Sequence, residues 1–307
     1  MSKQLLLLIL LLITVFFGIS TQVKKNESRD AKQFVGQKNS AKIKEDKLLE
    51  WMTFMKNESQ RYRDLDEVSK AVEVLTRCID GRWREPRTLE EHEKLAWIYT
   101  NRAYFYNNKL GDYLAAKEDY LSALNQFESC EPSEYLVARY VYQPLGNIYT
   151  RLGENEIAIS MIEKFKRACE KSGETAALMS AYNDIGRVFL NMDEYEQAVS
   201  WVSNGIALDN SDDFSLSLLY ASKAEAEEKS GKYDESLLSA QKCIQSVDKF
   251  HRSTDPSDFR YEMSEQYKIT AVVAKAKIAE HRKEFEQAQR LYGEALALSL
   301  NVYPKTH

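Results

Sequence analysis

One pattern recurs along this chain of 307 residues. A small residue is followed three positions later by an aromatic, and then by a turn and helix start of the form Gly-x-Tyr-x-x-Ala. The clearest copy is Gly186, Phe189, Asp193, Tyr195, Ala198. The others are Ala103, Tyr106, Gly111, Tyr113, Ala116; Gly146, Tyr149, Gly153, Ala158; Ala224, Gly231, Tyr233, Ser236; and Ala276, Phe285, Ala288. From Ala116 to Ala158, Ala198, Ser236 and Ala288 the steps are 42, 40, 38 and 52 residues. A period of this size marks a stack of like units, each burying its apolar face on its neighbours. For such a chain the functional question is which surface is presented, and to what.

Composition agrees. Apolar residues make up 44% and charged residues 29%, which fits a folded body, and 11 Gly with 5 Pro leave little room for an all-β architecture. The net charge of -5, with both signs interleaved, lacks the basic stripe that sequence-independent nucleic-acid binding needs. No nucleic-acid partner is expected. The four cysteines show no metal spacing. Cys78 and Cys243 fall where a small packing residue belongs. Cys130 and Cys169 lie near the ends of successive hairpins, where an exported protein has the option of a disulfide.

From about residue 44 the apolar positions follow helical spacing. Leu48, Trp51, Met52 and Met55 form one stripe, and Val68, Ala71, Val72, Leu75 and Cys78 the next. Thr88-Leu89-Glu90-Glu91 has the form of a capping box. Gly111 is placed to end a helix in the left-handed conformation, and Asp112 to begin the next. Later pairs turn at Gly153, near Asp193, at Gly231 and near Lys283. Pro144, inside a first helix, should bend it. The gap around Phe250–Phe259, with Asp255-Pro256, marks a local break in the stack.

These hairpins resemble tetratricopeptide repeats, helix–turn–helix units of about 34 residues. The resemblance covers residues 44–302 and implies an all-α, right-handed superhelical solenoid of about six antiparallel hairpins. It assigns Ala103, Gly146, Gly186, Ala224 and Ala276 to close packing on the first helices. Ala116, Ala158, Ala198, Ser236 and Ala288 do the same on the second helices. Tyr113, Tyr195, Tyr233 and Phe285 are expected to pack between the helices of a hairpin. The second marked copy departs there with Asn155, and a later one has Glu227 where an aromatic is expected. The stretch from Leu291 to Leu296, with Tyr303, Pro304 and His307, is similar to repeats that precede CHAT protease domains in bacterial proteins. Leu291, Tyr292, Ala295, Leu296, Leu298 and Leu300 are expected to leave an apolar face on the last hairpin.

The chain divides into residues 1–20, a signal peptide or membrane anchor; 21–43, a polar linker; 44–302, the repeats; and 303–307, a tail. The apolar run over residues 5–19 is short for a span of about 20 residues, and Gly18 and Ser20 suit cleavage. The rival reading is an uncleaved tether, which Lys24 and Lys25 behind the run suit. An exported or membrane-anchored protein is expected.

No nucleophile, phosphate-loop, zinc or dinucleotide motif occurs. No enzyme activity, catalytic residue, metal or cofactor is therefore expected. The four histidines sit in surface-like contexts, and Glu225, Glu227 and Glu228 read as a solvated acidic face. In the tetratricopeptide family the first helices line a concave groove. Carried onto this chain, that places Tyr104, Tyr140, Gln143, Asn147, Arg151, Asn183, Arg187 and Asn191 in the groove, with Trp97 and Asn107 beside them. Asn can grip peptide amides through both of its functions, and Arg can fork onto a carboxylate. Leu218, Glu225, Lys277 and Glu280 continue the row with a weaker preference for anions. The expected function is a non-catalytic scaffold for a peptide or partner protein, with a free carboxylate as one recognised group. The alternative is the sensory or regulatory part of a larger signalling protein, whose output module is a kinase, a transcription regulator or a CHAT-type protease.

Overall fold

The computed structural model describes residues 47–208 and 212–302. The expected signal or anchor segment, the linker and the tail lie outside them. Within the described residues no helix is long and apolar enough to cross a membrane. The structure is the all-α, tetratricopeptide-like solenoid expected from the sequence.

Twelve helices form six hairpins among the described residues. Hairpin 1 pairs α1 (Leu48–Asp64) with α2 (Val68–Asp80). Hairpin 2 pairs α3 with α4 (Tyr113–Phe127), where α3 runs over Leu89–Phe105 and ends in a wider π turn, Tyr106–Leu110. Hairpin 3 pairs α5 with α6 (Asn155–Ser172). Helix α5 is built from Glu134–Val137, a π turn over Ala138–Tyr142, and Gln143–Leu152. Hairpin 4 pairs α7 (Thr175–Asn191) with α8 (Tyr195–Ile206). Hairpin 5 pairs α9 (Asp213–Lys229) with α10 (Tyr233–Ser253), and hairpin 6 pairs α11 (Phe259–His281) with α12 (Phe285–Val302).

Each hairpin turns on one residue with positive φ: Asp66, Gly111, Gly153, Asp193, Gly231 and Lys283. The left-handed residue lets the chain reverse while its amides still cap the last carbonyls. The expected caps form. Thr88 Oγ1 accepts from the Glu91 amide at 3.2 Å, and Asp112 Oδ1 accepts from the Ala115 amide at 3.0 Å. Pro144 follows a π turn. It has no N–H to offer the Tyr140 carbonyl, and the turn ahead of it widens, so that the Gln143 amide donates to Ala138.

The small residues act as expected. A Cβ placed on Gly146 would stand 2.6 Å from Ile162 Cγ1 and 3.3 Å from the Ala158 carbonyl oxygen. On Gly186 it would stand 2.6 Å from Val202 Cγ2 and 3.3 Å from the Ala198 carbonyl oxygen. The two helices of these hairpins therefore meet backbone to backbone. Cys78 and Cys243 are buried, as expected, and so is Cys169; all four thiols are free, so the Cys130–Cys169 option is not taken.

The post-turn aromatics pack differently from expectation. They reach beyond the helices of their own hairpin to the joint with the following one. Tyr113 lies under the Arg151 guanidinium, with 5.2 Å from ring centre to Cζ, and Tyr233 stacks on His281 at 5.1 Å. Tyr195 packs near Leu190 and Ala226. Phe285 is 65% exposed, because among the described residues no further first helix follows to cover it. On α12, Leu291 and Ala295 pack inward, and Tyr292, Leu296 and Leu300 stay exposed.

Tight ion pairs tie the first hairpins together. Arg102 forks onto Asp119 with two bonds of 2.7 Å and reaches Thr76 Oγ1 of α2 at 2.9 Å. Arg84 forks onto Glu91 at 2.7 and 2.9 Å, and the Arg87 amide adds a bond of 2.7 Å. The Arg84 bonds lead, with the Arg87 amide behind them, in holding the Glu91 carboxyl down at about 2.

Two consequences follow for stability. Gly186→Ala gains about 1 kcal/mol of helix propensity and incurs overpacking of about 1–3 kcal/mol against stiff Val202. The expected result is a lower urea midpoint; an equal or higher midpoint would show that Val202 moves aside. Glu91→Gln should lower stability at pH 7 by about 1–3 kcal/mol. Its folded pKa lies below the unfolded value near ~4.3, so the carboxylate's contribution is full above that value and fades as pH falls towards 2. Urea titrations of both proteins should therefore converge with falling pH; a constant gap would assign the effect to packing.

Candidate functional site

The first helices lie side by side, α5 against α7, α7 against α9, and α9 against α11. Their shared surface begins aromatic and becomes charged. Tyr104 is 43% and Tyr140 53% exposed. Trp97 meets Tyr140 edge-on at 6.1 Å and Phe127 at 5.1 Å, and its Nε1 donates to Glu93 at 3.3 Å.

The centre is organised by a residue that sequence reasoning missed. Asp184 of α7 is buried, and its Oδ2 accepts from Gln143 Nε2 at 2.9 Å and from Asn147 Nδ2 at 3.5 Å. The bonds tie α5 to α7. Burial pushes the Asp184 carboxyl up, against the Gln143 and Asn147 donors and the nearby Arg187 charge. The only local signal is an acid two positions before the packing residue Gly186.

Arg151 and Asn191 are exposed, as expected of contact residues. Asn183 is not a contact residue. It is 1% exposed, on the covered stripe with Met179, Gly186 and Leu190, one turn apart each. Its Oδ1 has no hydrogen-bond partner among the described residues.

The later first helices spend their charges on each other. Glu225 stands 4.0 Å from Arg187 and 3.5 Å from Lys229, and Glu228 stands 3.5 Å from Lys277. Glu280 accepts from the Tyr292 hydroxyl at 2.9 Å. The acidic cluster is therefore not the solvated face read from sequence. Glu227 and Glu228 are buried, and Glu227 Oε2 accepts from Ser239 Oγ at 2.6 Å. His251 is also no surface residue: it stacks on Tyr261 at 3.6 Å and meets Ser264 Oγ at 2.7 Å.

Two open cavities lie where the first helices end. One, of about 420 Å³, is lined by Glu228, Lys229, Lys277, Glu280 and His281. The other, of about 400 Å³, lies between the ends of α5, α7 and α9 and includes Arg151, Asn155, Asn191 and Lys229. Lys229 borders both. Among the described residues no group of His, Cys, Asp and Glu has the arrangement of a metal site. The face can offer donors, acceptors and ring surfaces to an extended chain.

No protein-family profile matches the chain, and no curated protein sequence does. Solved structures resemble it. The apo form of the quorum sensor NprR from B. thuringiensis gives a TM-score of 0.60 at 12% identity, over 91% of this chain and 72% of that one. A Rap protein complexed with Competence and Sporulation Factor gives 0.55 at 12% identity, over 82% of this chain and 78% of that one. BtubC from P. vanneervenii gives 0.52 at 16% identity, over 80% and 94%. At these identities the likeness is one of fold.

The buried carboxylate yields a test. A folded pKa above the unfolded value means that the folded state holds the Asp184 proton longer, and stability falls as pH rises through that window. Asp184→Asn keeps an acceptor for Gln143 and removes the buried charge. Its melting temperature should exceed that of the parent at pH 7, with the difference closing near pH 4. A variant that melts lower at pH 7 would show that the anion, held by its donors and Arg187, is net stabilising.

Proposed function

We propose that this protein is a non-catalytic scaffold that binds an extended peptide across the first helices of hairpins 2 to 4. One observation carries this reading: exposed rings and an arginine with no carboxylate beside it lie there, while the charges beyond pair with one another. Tyr104, Tyr140, Arg151 and Asn191 are exposed. The guanidinium of Arg151 meets the Tyr113 ring and no carboxylate within 4.0 Å among the described residues. From Glu225 onwards the charges of the same face pair across adjacent helices. A ligand therefore finds more open partners in the first half than in the second.

The chemistry of the open half suits a peptide with a free carboxylate. Asn147 and Asn191 offer amide groups of the kind that bond both to a peptide N–H and to a carbonyl. Arg151 supplies a fork donor for an anion, and Arg187 a second one in exchange for its 4.0 Å contact with Glu225. The aromatic end, Trp97, Tyr104 and Tyr140, offers ring surface to apolar side chains. The fold shared with the quorum sensor NprR, and with the Rap protein in its complex with Competence and Sporulation Factor, supports a ligand-binding role for this face.

The decisive experiment replaces Asn147, Arg151 and Arg187 together by Ala and repeats affinity capture of partners or peptides. Recovery should fall at least about tenfold, the loss of roughly 1.4 kcal/mol or more of binding, and helical circular dichroism should not change. Undiminished recovery by the folded triple variant overturns the assignment of this face.

A further inference from the structure

At most joints of the stack the chain supplies its own plug. Tyr113 fills the joint between hairpins 2 and 3 under Arg151. Tyr195 fills the next but one, packed near Leu190 and Ala226 with its hydroxyl donating to Asp193 at 2.7 Å. Tyr233 fills the one after that, stacked on His281. The repeat register puts Asn155 at the same place in hairpin 3, and its short side chain cannot fill it. What is left is the cavity of about 400 Å³, walled by Thr150, Arg151, Asn155, Leu190, Asn191 and Lys229. Asn191 stands there where Arg151 stands over Tyr113, one repeat earlier.

The gap is chemically incomplete as well as empty of a ring. Asn155 Oδ1 is buried and has no hydrogen-bond partner among the described residues. Buried acceptors are nearly always matched, so an unmatched one in the wall of an open cavity marks a place for a donor from outside. Asp193, also in the wall, already accepts one phenol hydroxyl, that of Tyr195. Leu190, largely covered, gives the cavity a small apolar patch, and Arg151 and Lys229 bring cations to its rim, where they favour a ring face.

We propose that this joint is the anchor pocket for an aromatic side chain of the bound peptide, a tyrosine above all, which takes the place that the chain's own tyrosines take at the neighbouring joints. The inference rests on the peptide-binding reading and adds the identity of the residue that docks. The ring fills the gap over Leu190, and the phenol hydroxyl donates to Asn155 Oδ1. The ligand thereby completes a packing unit of the host.

The test uses the full chain and two probes, p-cresol and the non-planar 4-methylcyclohexanol, followed by backbone amide NMR. p-Cresol should give saturable shifts centred on Asn155, Leu190 and Asn191, and the saturated analogue should bind at least about fivefold more weakly. Asn155→Tyr should remove the response and raise the melting temperature, since it restores the plug. Asn155→Ala keeps the space and lacks the acceptor, so it should bind p-cresol about threefold to tenfold more weakly. Equal responses to the two probes, shifts centred elsewhere, or undiminished binding by folded Asn155→Tyr would overturn the inference and leave a hydrated gap. A random hexapeptide pool separates the two levels. Enrichment of Tyr among retained peptides, lost in Asn155→Tyr, supports the pocket. Retention that depends on Arg151 and shows no aromatic enrichment overturns the pocket and keeps the peptide reading. No retention overturns both.

Discussion

The contact of backbone with backbone inside the hairpins is the constraint on which the rest depends. Helices come this close only where no side chain stands between them, as at Gly146 against Ala158 and Gly186 against Ala198. Each hairpin becomes a thin slab with its large side chains pushed to its two broad sides. Those sides must be covered by the next slab, so the apolar interior is a row of clusters and not one core. The same geometry lines up the first helices on one surface. The shared face of the first helices is therefore a by-product of packing, and its chemistry is free to vary where the packing residues are not.

That division explains what could be read in the sequence. Turns and caps are local, and Thr88, Gly111, Asp112 and Gly153 announce them by residue type alone. The small packing residues repeat, so their register is visible without any contact information. The side chains that meet across joints are not local. Asp184 finds Gln143 and Asn147 from another hairpin, and nothing in its own neighbourhood shows that meeting. Asn183 and Glu227 were misplaced for a related reason: a polar residue on a helix reads as exposed until its stripe is known, and both sit on covered stripes. The tyrosines after the turns were recognised as packing residues, but the partner was one hairpin further on. The most useful signal was the departure at Asn155, because a repeat states its own expectation and a break in it has a place in space.

Two kinds of ion pair run through the molecule. Arg84–Glu91 and Arg102–Asp119 are forked, short and largely covered, and they join loop to helix and helix to helix. Arg187–Glu225, Lys229–Glu225 and Lys277–Glu228 are single contacts of 3.5 to 4.0 Å on the shared face. Of these, the Glu225 pairs are the more exposed, and pairs of that kind contribute about 0–1 kcal/mol, so they hold charge in place at little gain in stability. The face can exchange such partners for those of a ligand and leave the stack intact. Around Asp184 the balance is different, since its bonds to Gln143 and Asn147 join two slabs.

The buried thiols give the stack a property of another sort. Cys78, Cys169 and Cys243 lie on the second helices of hairpins 1, 3 and 5. Burial pushes them up to about 12, 11 and 12, which keeps them unreactive while the slabs are closed. A stack of this kind opens in pieces, because each slab answers only to its neighbours. Every opening of an odd-numbered hairpin thus uncovers one sulfur at a known height in the column. The chain carries its own set of timekeepers, and where reagent outruns reclosing the pace of thiol exchange at each one is the opening rate of that storey.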